Sequence, residues 1–126
     1  MENKKILIVE DEEAMLSAIK DKLAGNGFEV IEARNGEEGM KVALEQKPDA
    51  IILDIIMPKM NGMEMLVALR KDPWGAKVPV VILTNLSADD RITAKVAATE
   101  PSFYLMKMDW SLNEIIDKVK SVFTSE

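Results

Sequence analysis

Three acids, one hydroxyl and one ammonium in this 126-residue chain follow directly on short apolar runs. Glu10 and Asp11 come after residues 6–9 (ILIV), Asp54 after Ala50–Leu53, Thr84 after residues 80–83 (VVIL) and Lys107 after Phe103–Met106. In an open parallel sheet, ligands bind beyond the carboxyl ends of the strands, so these five groups are expected to share one rim. Carboxylates at close range repel, and at least one takes up a proton unless a cation sits among them. A hard divalent ion that prefers oxygen and keeps several waters fits such a group: Mg²⁺ ahead of Ca²⁺, which wants more ligands. Lys107 adds a point charge on a long stem, able to reach Asp54 or an anion attached to it. Thr84 can donate a hydrogen bond to that anion. A carboxylate nucleophile, a metal, and a lysine and hydroxyl on the developing charge are the parts of a site that accepts a phosphoryl group, here onto Asp54.

The rest of the chain reads as the frame for that rim. Continuous apolar runs of four residues, rich in Ile and Val, fit strands buried on both faces of a parallel sheet. In residues 28–33 (FEVIEA) polar residues interleave, which places that strand at a sheet edge. Between the strands lie amphipathic stretches: Met15, Ala18, Ile19 and Leu23; then Gly39, Met40, Ala43 and Leu44; then Met65, Leu66 and Leu69. The last helix carries Leu112, Ile115, Ile116, Val119, Val122 and Phe123 on one stripe. Ser111 and Glu114 give it the spacing of a capping box, and Asn35 with Glu38 gives the second helix a similar start. Residues 88–98, anchored by Ile92 and Val96, are expected to be the fourth of five helices. Strand and helix thus alternate five times, the pattern of a doubly wound α/β sheet with right-handed crossovers. Gly25, Gly27, Pro48, Pro73, Gly75 and Pro79 fall between elements, and neither a linker nor a repeat divides the chain.

Composition removes several kinds of chemistry. With no cysteine and no histidine, disulfides, thiolate or imidazole metal sites and His-based catalysis are excluded. The net charge is −6, and no basic stripe is present. Direct nucleic-acid binding is therefore not expected, since phosphate neutralisation dominates that affinity. No signal peptide or membrane span is visible, so the expected location is cytoplasmic, away from the membrane.

Four motifs in order carry a resemblance: Val9-Glu10-Asp11, Leu53-Asp54-Ile55-Ile56-Met57-Pro58 with Gly62 beyond it, Leu83-Thr84, and Tyr104-Leu105-Met106-Lys107. Together they resemble the response-regulator receiver domain of two-component signal transduction, over essentially all of residues 1–126 as a single domain. The resemblance implies a flavodoxin-like fold, a five-stranded parallel sheet of order 2-1-3-4-5 with five helices. It implies that Asp54 takes phosphate from a sensor histidine kinase or a phosphotransfer protein. Mg²⁺ would be held by Asp11, Asp54 and the backbone carbonyl of Ile56, with Glu10 acting through water. Thr84 and Lys107 would sense the phosphoryl oxygens and Tyr104 would be the aromatic switch. Partner affinity for a downstream effector or output domain would change on the face of the fourth helix, fifth strand and fifth helix, with homodimerisation on activation a possible consequence. Such a domain is a phosphoacceptor switch rather than an enzyme in the ordinary sense. Two positions depart from the family pattern: Met108 stands where proline usually follows the lysine, and Asn85 where a small residue usually follows the threonine. A cis bond before a non-proline residue costs about 2.5–4 kcal/mol, so a trans or strained loop is expected at Met108.

Other functions fare worse on the residues. A phosphatase or dehalogenase of the haloacid-dehalogenase type needs an acid two residues after its nucleophile, and that position holds Ile56. A flavodoxin-like cofactor binder needs a phosphate loop after the first strand, where Glu10, Asp11, Glu12 and Glu13 would repel a phosphate. A receiver-fold interaction module that signals without phosphorylation is the alternative. Glu12 and Glu13 themselves read as acids opening the first helix.

Overall fold

The computed structural model describes residues 4–54, 62–84, 103–106 and 111–124. In chain order these form β1 (Lys5–Val9), α1 (Glu13–Gly25), β2 (Glu29–Ala33), α2 (Gly36–Gln46), β3 (Ala50–Leu53), α3 (Gly62–Arg70), β4 (Val80–Thr84), β5 (Phe103–Met106) and α4 (Leu112–Thr124). The five strands are parallel, in the order β2-β1-β3-β4-β5. This is the expected order, with β2 at an edge. The helix expected over residues 88–98 lies outside the described residues, as do Ile56, Asn85, Lys107 and Met108.

Alternation along the strands explains why their sequences are apolar without a break. Leu7, Val9, Ile51, Leu53, Val80 and Ile82 face one core layer, with Ala43 of α2 and Met65, Leu66 and Leu69 of α3. Ile6, Ile8, Ala50, Ile52, Val81 and Leu83 face the other, with Leu16, Ile19 and Leu23 of α1 and Ile115, Ile116 and Val119 of α4. Every second side chain therefore meets a different pair of helices, and neither set faces water. Each Val, Leu, Ile or Met among them contributes about 1.5–3 kcal/mol by burial.

Two helix faces differ from the sequence expectation. Leu16 is buried against the sheet at 1% exposure, whereas Leu44 is 39% exposed. On α2 the inward line runs through Gly36, Gly39 and Ala43. Leu44 lies one residue, about 100°, further round the helix. The helix starts follow their sequence signals more closely. Ser111 Oγ accepts from Glu114 N at 3.2 Å while Glu114 Oε1 accepts from Ser111 N at 2.8 Å, a complete capping box. At α2, Asn35 Oδ1 accepts from Glu38 N at 2.8 Å, but Glu38 Oε1 accepts from Arg34 N at 3.0 Å, one residue earlier than the box requires.

Glycine at position 39 brings α2 unusually close to β1. A Cβ there would lie 2.9 Å from Val9 Cγ2 and 3.0 Å from Met65 Sδ. Val9 is the residue immediately before Glu10, so α2 approaches β1 at the strand end that the acids follow.

Candidate functional site

The sheet itself brings the acids together. Val9 at the end of β1 is in register with Leu53 at the end of β3, so the next residues, Glu10 and Asp54, leave the sheet side by side. Backbone pairing continues one step further: Asp54 N donates to Val9 O at 3.0 Å and Glu10 N donates to Ala33 O at 3.0 Å. Both acids are thus anchored by their main chain before their side chains meet anything.

Carboxylate oxygens of Glu10, Asp11 and Asp54 lie within 4.8 Å of one another. Glu10 is 2% and Asp54 6% exposed, while Asp11 stands open to solvent. The group has two buried walls and one accessible member. Like charges at that spacing repel by on the order of 3 kcal/mol per pair at the effective dielectric of a protein surface. That is a large fraction of the net stability of a small domain. Glu10 Oε2 accepts from Glu12 N at 3.2 Å, which orients one wall of the group from the start of α1. The donors are all oxygen, partly buried and open on one side. Such a set fits a hard divalent cation that keeps some of its waters.

The expected site residues divide accordingly. Glu10, Asp11 and Asp54 come together. Thr84 closes β4, in register with Met106 of β5, and Tyr104 pairs in register with Ile82, so both occupy the two strands beyond β3. The backbone carbonyl of Ile56 and the side chain of Lys107 lie outside the described residues. Sequence reasoning missed Arg34, which follows β2 and whose Nε donates to Glu13 Oε1 at 2.7 Å. The guanidinium beside it holds the Glu13 carboxyl below its ordinary range. The available signal was a single basic residue at the end of an edge strand, opposite a run of four acids.

Comparison with known proteins gives a consistent result. A family model described as the response regulator receiver domain matches residues 6–120. The alkaline phosphatase synthesis transcriptional regulatory protein PhoP of Bacillus subtilis (strain 168) is 37% identical over 110 residues, covering 78% of this chain and 45% of PhoP. The phosphorylated cyanobacterial phytochrome response regulator RcpA superposes with a TM-score of 0.82 at 29% identity, covering 98% of this chain and 95% of RcpA. The Mn²⁺-bound form of response regulator Rcp1 gives a TM-score of 0.82 at 26% identity, covering 97% and 95%.

The chain spans about half the length of the curated relatives it matches. Several of those relatives are named as transcriptional regulators. This overturns the partner expectation drawn from charge, that of no direct nucleic-acid binding. The net charge of −6 belongs to a stretch that matches only half of each relative, and it reports nothing about the charges of the other half. Among the described residues, no helix is long and apolar enough to cross a membrane.

Proposed function

The chain belongs to the response regulator receiver domain family, and from that premise we propose that Asp54 accepts a phosphoryl group from the phosphohistidine of a sensor histidine kinase. Residues 1–126 act as one receiver domain, in the cytoplasm. The observation that carries this reading is the meeting of Glu10, Asp11 and Asp54 at the paired ends of β1 and β3. Asp54 is the member of that group at the end of the central strand, with its main chain tied to β1.

In the transfer, an Asp54 carboxylate oxygen forms a bond to phosphorus as the P–N bond of the phosphoimidazole breaks. The bonding pair stays with the departing ring nitrogen. Burial limits the rotamers open to Asp54, which is 6% exposed, and so lowers the cost of orienting it for attack. Asp11, Asp54 and the Ile56 carbonyl would hold Mg²⁺, with Glu10 acting through water, and the ion would supply the positive charge that the phosphoryl oxygens and the three acids require. Glu10 is kept in place by the Glu12 N–H. Thr84 donates a hydrogen bond to a phosphoryl oxygen and Lys107 contributes its ammonium. Tyr104, on the neighbouring strand, follows the movement of Thr84. Affinity for an output partner then changes on the face made by residues 88–98, β5 and α4. By its likeness to PhoP, the switch serves transcriptional regulation.

Incubation with a small-molecule phosphodonor and Mg²⁺, read by intact-mass spectrometry, is expected to add one phosphoryl group to the unaltered chain and none to Asp54→Asn. Undiminished labelling of that variant would rule out Asp54 as the acceptor. A folded, Mg²⁺-binding chain that no donor labels would favour the module that signals without phosphorylation.

A further inference from the structure

Just outside the three acids, a row of charges runs down the seam between α1 and β2. Arg34 Nε donates to Glu13 Oε1 at 2.7 Å, and another guanidinium nitrogen lies 3.8 Å from Glu32 Oε1. Glu32 Oε2 in turn lies 2.7 Å from Lys20 Nζ. The signs alternate, so the row is neutral, and it joins the edge strand to two turns of α1.

Arg34 also sits where three backbone segments meet. Its N–H donates to Glu38 Oε1 in the first turn of α2 at 3.0 Å, and the carbonyl of its neighbour Ala33 accepts from Glu10 N at 3.0 Å. Its side chain reaches the first residue of α1, two positions after Asp11. Glu12, at the N-cap of α1, supplies no side-chain cap of its own. The first turn of α1 therefore draws part of its hold from Arg34, and that turn carries the Glu12 N–H on which the Glu10 carboxylate rests.

We propose that Arg34 is a positioning residue for the cation site: through Glu13 it fixes the first turn of α1, and with it the carboxylates of Glu10 and Asp11. The inference rests on the metal-dependent reading above. It makes a distinctive demand, because charge alone predicts the opposite for one partner. Loss of a nearby cation should tighten Mg²⁺ binding and loss of a nearby anion should weaken it. Positioning requires both losses to weaken it.

The test is an Mg²⁺ titration by calorimetry of the unaltered chain, Arg34→Gln, Glu13→Gln and the exchanged pair Glu13→Arg with Arg34→Glu. Exposed ion pairs are individually weak, so each single variant is expected to bind Mg²⁺ about threefold to fivefold less tightly. The exchanged pair is expected to return to within about twofold of the unaltered chain. Amide exchange in the metal-free chain gives a second reading. The Leu16 N–H, which donates to Glu12 O at 3.0 Å, should exchange faster in both single variants and recover in the exchanged pair. Shifts of opposite sign in the two single variants, no shift, or no recovery would overturn the proposal while leaving the metal site intact. An unaltered chain that binds no Mg²⁺ at millimolar supply would overturn the metal reading and this one together.

Discussion

The starts of α1 and α4 solve one problem in two ways. Both helices must satisfy the free N–H groups of their first turn. At α4, Ser111 and Glu114 exchange reciprocal hydrogen bonds at 3.2 and 2.8 Å, and every partner lies within four residues. At α1, Glu12 occupies the N-cap position without capping, and Glu10, two residues earlier, accepts from the Glu12 N–H instead. Glu10 also belongs to the acidic group. Local capping chemistry is followed where the helix only has to stand. It is set aside at α1, where Glu10 is also one of three clustered acids, the kind of place where local rules are expected to give way.

The contrast can be tested from its strongest consequence downward. A cation that binds only the folded chain stabilises it by mass action, by about 2.7 kcal/mol at a hundredfold excess over the dissociation constant. Saturating Mg²⁺ is therefore expected to raise the urea midpoint of the unaltered chain and of Ser111→Ala equally, and that of Asp54→Asn by less than half as much. Equal gains in all three would separate the acidic group from cation binding. Next in size, Ser111→Ala should cost about 1 kcal/mol at the α4 start. Glu12→Ala should cost less than about 0.5 kcal/mol at the α1 start, because no cap hydrogen bond is lost. Equal losses in urea denaturation would erase the distinction between the two starts.

The smallest effect is one of pH. The Ser111 N–H, and then its hydroxyl, hold the Glu114 carboxyl below its ordinary value of 4.5. A carboxyl lowered in the folded state adds stability that is present above 4.5 and lost as pH falls through the folded-state value. Glu114→Gln keeps a capping amide without the charge. Its melting temperature should fall below that of the unaltered chain at neutral pH, and the gap should close as the medium is acidified past 4.5. A gap that persists in acid would mean that shape rather than charge makes the cap.

Much of this was legible beforehand, for identifiable reasons. Apolar runs at Ala50–Leu53 and Phe103–Met106 became β3 and β5 with the same bounds. β3, buried at all four positions, has no polar side chains to blur its ends. Glu10, Asp11 and Asp54 were readable as neighbours because sheet register converts position after an apolar run into position in space. Glu12 and Glu13 took the helix-opening places expected of them. Leu44 was misread and Leu16 passed over: the buried positions are Leu16, Ile19 and Leu23 on α1 and Gly36, Gly39 and Ala43 on α2, and two glycines on the inward line of α2 give no apolar signal. Arg34 escaped because its partner Glu13 lies 21 residues away, and no local pattern encodes an ion pair between a helix start and an edge strand. The relatives' role in transcription had no trace in the charge of this stretch.

The glycine at position 39 has a mechanical consequence. A Cβ at position 39 would lie 2.9 Å from Val9 Cγ2 and 3.0 Å from Met65 Sδ, so even a methyl group there requires a neighbour to shift. Val9 and Met65 lie in one close-packed core layer, where a single added methyl group is felt by its neighbours. Because Val9 directly precedes Glu10, a side chain at position 39 would bear on the strand end that the clustered acids follow. The missing side chain at position 39 is thus what lets the second helix seat against that strand end.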